Sequence, residues 1–134
     1  NFKINQIFRK LTKNKKQSLK NLEIKGRFFI IKNYFEKIAR FDFDYLCNQN
    51  IGAEDYIKIA EACNFIVIEN IPKFNDKNIN KQQRFITLID ILYEKKISLM
   101  TSSYTDIKNL GSSRALIGPF KRTLSRLYEL TSIN

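Results

Sequence analysis

Apolar residues recur along this chain with two periods, and these periods predict a series of helices and strands. Between residues 2 and 11 they recur every two to four positions, the spacing of one helical face. Residues 22–31 predict a β-hairpin, because the first arm alternates and Gly26 stands where the turn needs a positive φ. Residues 38–43 alternate again, which predicts a third short strand with one aromatic, buried face.

Helices and strands continue to alternate through the middle of the chain. Asp44 is a predicted N-cap for a short helix that ends at Cys47, and Gly52 precedes a longer predicted helix over residues 53–63. The continuous apolar run at residues 65–68 is typical of a strand that is covered on both faces. These elements predict a sheet with helices packed against it.

The remaining residues complete the predicted fold. A long helix over residues 80–95 has one apolar face, and residues 97–103 form the next predicted strand. Strand, helix and strand make a βαβ unit, for which a right-handed parallel crossover is the rule. A last helix is predicted over residues 119–130, since Pro119 is tolerated at a first helical position. The predicted fold class is α/β or α+β: a small mixed sheet with one parallel βαβ crossover, an N-terminal β-hairpin and packed helices.

Length and composition are typical of one compact domain covering residues 1–134. With 43% hydrophobic residues, the chain can bury roughly two thirds of its unfolded surface. It divides into a helix and basic linker at 1–21, a hairpin and strand at 22–43 and an α/β portion at 44–134. The longest apolar runs are about four residues, far below the roughly 20 that a membrane helix needs. We therefore expect no transmembrane segment and an intracellular location.

The net charge of +11 raises the question of a nucleic-acid partner. Lys outnumbers Arg by 17 to 7, and Asn, Ile and Phe are abundant, which is the bias of an AT-rich genome rather than of selected phosphate contacts. We therefore do not expect nucleic acid as the partner. Only residues 9–20 are locally dense in Lys and Arg, and they predict either a solvated linker or a basic patch for an anionic partner or membrane surface.

Cysteine and histidine usage limits the chemistry of the chain. Cys47 and Cys63 fit no zinc-binding spacing, and the sequence contains no His. This excludes Ser-His-Asp and Cys-His catalysis from the segment. Both thiols are predicted to be reduced and buried, and we predict no metal site and no catalytic residue in this chain.

Two arginines carry the strongest candidate chemistry. Arg122 and Arg126 are one turn apart on the last helix, where two guanidinium groups repel unless an anion lies across them. Guanidinium suits bidentate contacts to phosphate or carboxylate. Arg126 therefore either pairs with a carboxylate of this chain or reaches a phosphate or a neighbouring subunit. The carboxylates available for structural ion pairs are those of Asp42, Asp55, Asp90 and Glu129.

A third arginine needs a separate explanation. Arg84 lies near the start of the long helix, where the helix dipole disfavours a cation. An ion pair with Asp55 is the simplest explanation, and a subunit interface is the alternative. Asp42, Asp44 and Asp55 also raise the question of a metal or acid/base cluster, but Asp44 and Asp55 are near helix starts, where carboxylates are routinely caps.

Polar residues at two strand ends imitate the Walker B and sensor 1 positions of P-loop ATPases. Glu69 and Asn70 follow the apolar run, and Ser102 is near the end of the next strand. The imitation is incomplete, because Mg²⁺ and the attacking water need an Asp-Glu pair. We interpret these residues as strand-end side chains that face solvent and assign them no catalytic role.

Four clusters of residues follow one another in a characteristic order. They are Arg-Phe-Asp-Phe-Asp-Tyr-Leu-Cys at 40–47, Gly-Ala-Glu-Asp-Tyr at 52–56, Arg-Phe-Ile-Thr-Leu-Ile-Asp-Ile-Leu-Tyr-Glu at 84–94 and Arg-Thr-Leu-Ser-Arg-Leu-Tyr-Glu at 122–129. In this order and at these spacings they resemble the C-terminal part of the AFG-like ATPases, P-loop ATPases of the AAA+ type that include the cell-division protein ZapE. The resemblance covers most of the chain.

The resemblance implies an ATPase that acts on protein partners, either division-ring or membrane-associated proteins, and that forms a homo-oligomer. It implies a cytoplasmic location, peripheral to the inner membrane, or the matrix side in mitochondria. None of the four glycines precedes the Gly-Lys-Ser/Thr of a phosphate loop, so ATP and Mg²⁺ are expected to bind a missing upstream region. This chain alone is expected to be inactive. In similar ATPases arginines reach the nucleotide or the next subunit, and the candidates here are Arg84, Arg122 and Arg126.

A function of a different class remains as the alternative. The chain would then be a non-catalytic basic binding module that contacts nucleic acid or an acidic protein through residues 10–20. An upstream reading frame that encodes a phosphate loop would favour the ATPase, and a Met codon immediately before Asn1 would favour the module.

Overall fold

The computed structural model describes residues 2–131, and residues 1 and 132–134 of the predicted domain lie outside this range. The helices are α1 Phe2–Thr12, α2 Phe43–Cys47, α3 Ala53–Ala62, α4 Ile79–Glu94 and α5 Ile117–Thr131. The strands are β1 Gln17–Ile24, β2 Arg27–Phe35, β3 Ile38–Asp42, β4 Phe65–Ile71 and β5 Ser98–Ser103. Short 3₁₀ turns precede α4 and α5 and follow β5.

The five strands form one mixed sheet in the order β1-β2-β3-β4-β5. The first three strands are antiparallel neighbours, whereas β3, β4 and β5 run parallel. The predicted mixed α/β class and N-terminal hairpin are confirmed. The number of crossovers was underestimated, because α2 and α3 connect β3 to β4 as a second parallel crossover beside the predicted one through α4.

Helices cover both faces of the sheet. Helices α2 to α5 pack on one face and form the main core. Helix α1 packs on the other face, where Ile4 and Phe8 meet Ile38, Val67 and Met100 of the three parallel strands. Strand β4 is buried on both faces, as its continuous apolar run predicted, because successive side chains of a strand point in opposite directions.

The hairpin is longer than predicted at both ends. Strand β1 begins at Gln17, five residues before the predicted start at Leu22, so part of the predicted basic linker is a strand. Its first five residues are exposed, and an edge strand exposed on both faces carries no apolar alternation in sequence. Backbone pairing with β2, from Gln17 opposite Phe35 to Ile24 opposite Arg27, fixes this strand instead.

Two helix starts differ from the prediction. Asp42, not Asp44, caps α2, because Asp42 keeps an extended backbone and its carboxylate accepts the Asp44 amide at 3.0 Å. The carboxylate of Asp44 lies 3.6 Å from Nζ of Lys81 instead. Pro119 is the third residue of α5, not the first. It is tolerated there because the amides of the first helical turn have no intrahelical acceptor.

The two thiols lie in the interior. Cys47 and Cys63 are free and buried, as predicted, and burial raises the pKa of each thiol to about 12. They are therefore packing groups rather than reactive ones. Between residues 2 and 131, no helix has both the length and the apolar character needed to cross a bilayer.

Candidate functional site

Helices α4 and α5 pack together and place one carboxylate beside two arginines. Nη1 of Arg126 lies 2.6 Å from Oδ1 of Asp90, and Nη2 of Arg122 lies 3.8 Å from Oδ2. This carboxylate offsets the repulsion between guanidinium groups that are one helical turn apart. Of the carboxylates that the sequence offered to Arg126, the structure places Asp90 in contact.

Arg126 is held within the chain by two further features of the site. Its Cζ lies 4.7 Å from the centroid of the Tyr93 ring, and only 22% of its side chain is exposed. The carboxylate of Glu129 lies beside the Tyr93 hydroxyl, which can donate to it, and raises the pKa of that hydroxyl. The ion pair predicted for Glu129 is wrong within the residues described, because Arg126 turns towards α4 and its Asp90.

Arg122 is the more accessible member of the pair, with 62% of its side chain exposed. Exposed ion pairs of this kind contribute about 0–1 kcal/mol, so Asp90 restrains Arg122 only weakly. Two guanidinium groups share the Asp90 carboxylate, and the carboxylate of Glu129 lies at the same site beside Tyr93. Because arginine keeps its proton in proteins, the pair can attract an anion but cannot act as an acid or a base.

Arg84 and Asp55 do not meet, so the predicted ion pair between them is wrong. Nη1 of Arg84 donates a 3.3 Å hydrogen bond to the Cys47 carbonyl at the end of α2. Asp55 accepts both Nη groups of Arg27, with Nη2 at 2.8 Å. The reason is the direction of α3, whose first turn faces the hairpin that carries Arg27 rather than α4.

Asp55 is an almost fully buried carboxylate, 1% exposed, and serves the structure of α3. Besides Arg27, its Oδ2 accepts the amide of Gly52 at 2.9 Å. Burial alone would raise the pKa of Asp55, but the hydrogen bonds from Arg27 and Gly52 outweigh it and hold that pKa below its usual value. Asp55 is therefore charged at neutral pH and paired.

Asp42 belongs to a chain of hydrogen bonds where the carboxyl ends of β3, β4 and β5 meet. Its Oδ1 accepts a hydrogen bond from Nδ2 of Asn70 at 2.7 Å. The backbone amide of Asn70 donates to Oγ of Ser102 at 3.1 Å. The ion pair predicted for Asp42 is wrong, since neutral donors occupy both its oxygens. Asn70 and Ser102, predicted simply to face solvent, tie the neighbouring strand ends together.

A further ion pair, missed from the sequence, lies on the α1 face of the sheet. Arg40 donates through Nε and Nη2 to Glu69, with Nη2 3.0 Å from Oε2, and these side chains are 19% and 15% exposed. Nη2 of Arg40 also donates to Oδ1 of Asn5 at 2.6 Å, and its Cζ lies 5.1 Å from the Phe8 ring centroid. The sequence feature that could have predicted this pair is a single Arg and a single Glu in two strands that are otherwise mostly apolar.

These contacts decide whether the chain itself fits Mg²⁺ and ATP. Glu69, at the position that imitates Walker B, is neutralised by Arg40, while Asp42, Asn70 and Ser102 are hydrogen-bonded to one another. Among residues 2–131, no group of three or more acidic or thiol side chains could hold a metal ion. The polar groups at these strand ends are therefore engaged with partners within the chain rather than open to Mg²⁺–ATP.

Comparison with known proteins places the chain in a family. The family described as AFG1-like ATPase matches residues 1–134. This chain belongs to the AFG1-like ATPase family. The resemblance carried by the four sequence clusters is therefore confirmed.

Curated relatives of this AFG1-like chain are distant in sequence. An uncharacterised protein of Schizosaccharomyces pombe is 30% identical over 89 residues, 66% of this chain and 20% of the relative. Lactation elevated protein 1 homolog B of Danio rerio is 29% identical over 81% of this chain and 22% of its own length. Cell division protein ZapE of Escherichia coli K12 is 24% identical over 96% of this chain and 34% of its own length.

The chain thus spans a fifth to a third of the length of these relatives. No solved structure gives a significant match.

Proposed function

We propose that this chain is the C-terminal part of an ATPase that hydrolyses ATP to act on protein partners. The observation that supports the proposal is the AFG1-like ATPase match over residues 1–134. The name of the Escherichia coli relative ZapE refers to cell division, and we infer that this chain serves related work on division-ring or membrane-associated proteins. The proposed place of action is the cytoplasmic or matrix side of an inner membrane.

In this proposal, ATP and Mg²⁺ bind residues other than these 134. Two observations support it: the sequence has no Gly-Lys-Ser/Thr loop, and the polar groups at the carboxyl ends of the strands are engaged with one another. The isolated chain is therefore expected to show no ATP turnover.

The role proposed for this chain's own residues centres on Arg122. Its side chain is 62% exposed, whereas that of Arg126 is 22% exposed and lies between Asp90 and Tyr93. Of the two, Arg122 can extend to an anionic group at a boundary between subunits without breaking the partly buried pair of Arg126 and Asp90. Guanidinium is suited to such contacts because it presents several donors in one plane.

The test is ATP turnover by the full-length protein with one arginine removed. Arg122→Ala should lower turnover by about tenfold or more, as loss of a transition-state-directed arginine does in P-loop enzymes. Lys121→Ala is the matched control, since Lys121 is an exposed cation next to Arg122 on the same helix. Unchanged turnover in the Arg122 variant would remove that residue from the mechanism, and turnover by the isolated chain would contradict the placement of ATP elsewhere.

A further inference from the structure

One surface away from the arginine pair combines exposed apolar side chains on a strand face. Leu19, Phe28 and Ile30 of the β1–β2 hairpin are 70%, 63% and 42% exposed. Phe28 lies opposite Glu23 and Ile30 opposite Asn21 in the ladder, and directly paired residues point to the same face of a sheet. Leu22 and Ile24 of β1 and Phe29 and Ile31 of β2 fill the main core on the opposite face, and Leu19 lies at the register shift between Ser18 and Lys20. We call the surface formed by Leu19, Phe28 and Ile30 the hairpin face.

Basic residues border the hairpin face where the chain enters β1. Helix α1 lies on this side of the sheet, and the connection from α1 to β1 carries the exposed residues Lys13, Lys15 and Lys16. Lys16 precedes Leu19 by three residues, or roughly 10 Å along an extended chain. The Glu36 carboxylate accepts the backbone amide of Lys16 at 2.6 Å, and Glu23 lies opposite Phe28, so three lysines face two carboxylates on this side.

We propose that the hairpin face and Lys13, Lys15 and Lys16 together form a surface that rests on an anionic lipid bilayer. Lysines near an anionic leaflet are attracted to its headgroups, and exposed apolar side chains enter the boundary between headgroups and acyl chains. This surface combines both properties on one side of the sheet. The proposal rests on the membrane-side location given in the proposed function and names the surface that makes the contact, and it does not depend on ATP hydrolysis.

The chemistry of the apolar residues favours lipid over nucleic acid. Sheets that bind single-stranded nucleic acid stack bases on aromatic side chains or on arginine. Here two of the three exposed apolar residues are aliphatic, and the neighbouring cations are lysines. Leu19 and Ile30 offer no π-face to a base, whereas they are suited to the edge of an acyl layer.

The experiment measures sedimentation of the 134-residue chain with vesicles. Phosphatidylcholine vesicles with about 30% phosphatidylserine should bind the chain, and pure phosphatidylcholine vesicles should bind it at least about tenfold more weakly. Replacing Lys13, Lys15 and Lys16 together by Glu should lower binding to the anionic vesicles by about tenfold or more. Equal binding to both kinds of vesicle would overturn the proposal.

A second variant tests the apolar contribution without removing charge. The combination of Leu19→Thr, Phe28→Thr and Ile30→Thr keeps strand propensity and should also lower anionic vesicle binding by about tenfold or more. Circular dichroism checks that each variant is folded. Full vesicle binding by the threonine variant would overturn the proposal, because attraction by charge alone would then account for it.

Two control variants and a competitor make these outcomes specific. Replacing Lys77, Lys108 and Lys121 together by Glu changes the net charge equally on exposed sites elsewhere. Replacing Ile57 and Ile117 by Thr removes exposed apolar side chains elsewhere. Both controls should keep binding within about twofold, given that surface charge acts within a Debye length. A single-stranded oligonucleotide serves as the competitor. If it displaces the vesicles and binds the threonine variant as tightly as the wild type, the surface binds nucleic acid and the proposal is overturned.

Discussion

Removing Arg126 tests whether the last helix is held by its arginine. In the wild-type chain the guanidinium makes a 2.6 Å contact with Asp90 and lies over the Tyr93 ring. Arg126→Ala removes both contacts and leaves Asp90, among residues 2–131, with the looser cationic neighbour Arg122, 3.8 Å away. The variant therefore tests the stabilising role of Arg126 separately from the exposed cation Arg122.

The expected loss follows from the exposure of the partners. A hydrogen bond between charged groups contributes about 1.5–3 kcal/mol, and a cation–π contact adds about 0.5–1 kcal/mol. Side-chain exposures of 22% for Arg126 and 31% for Asp90 let water replace part of the lost contact. We therefore expect Arg126→Ala to lower the free energy of unfolding by about 1.5–3 kcal/mol. For Arg122→Ala, with 62% exposure, the expected loss is about 0–1 kcal/mol.

Urea unfolding of the 134-residue chain, followed by circular dichroism, measures both values. In an Asp90→Ala background, Arg126→Ala should cost at least about 1 kcal/mol less than in the wild type, which measures the coupling of the two residues. Equal losses for the two arginines, or full additivity with Asp90→Ala, would refute the assignment of Arg126 to this ion pair. Arg126 also remains a predicted phosphate-directed residue, and normal ATP turnover by a destabilised full-length Arg126→Ala protein would end that role.

Three further measurements test other parts of the structure. Gly111 has a φ of 73°, and a Cβ there would stand 2.7 Å from the carbonyl oxygen of Phe74. Gly111→Ala should therefore lower the free energy of unfolding, measured by urea titration, by about 1–3 kcal/mol. At Gly118 a Cβ would meet open space, so Gly118→Ala should change that free energy by less than about 0.5 kcal/mol. Leu92→Ala should cost about 2–5 kcal/mol in the same assay, and a loss below about 0.5 kcal/mol would mean that α4 faces the other way. Although burial opposes it, pairing with Arg27 lowers the pKa of Asp55, so the stability from this pair is present above the unfolded pKa of about 4 and is lost as pH falls through the folded pKa. Arg27→Met should therefore be less stable than wild type at neutral pH in urea titrations, and a difference that does not shrink at any pH below the unfolded pKa of about 4 would contradict this.

Periodicity in the sequence was enough to predict the elements that form the core. Strand β4 and helix α4 each carry a continuous or one-sided apolar pattern, and both were placed within a few residues of their observed bounds. The pattern works because burial of apolar area dominates the choice between helix and strand at such positions. The first half of β1 was missed for the same reason: its residues are exposed, so no apolar signal marks them.

The partners of the charged side chains were decided by the tertiary structure. Arg84 and Asp55 looked complementary in sequence, yet Asp55 pairs with Arg27 because α3 turns its first residues towards the hairpin. Arg40 and Glu69 became partners only through the parallel register of β3 and β4. Charge complementarity has no sequence period, since any carboxylate can pair with any arginine that the fold brings within reach.

The sequence by itself thus determined the fold class, the buried faces and the family of this chain. It also supplied the two arginines of α5, but not their difference in exposure. That difference arises because α4 presents Asp90 and Tyr93 to Arg126 and leaves Arg122 towards solvent. The packing of one helix on another, rather than the identity of the residues, decides which arginine is available to a partner.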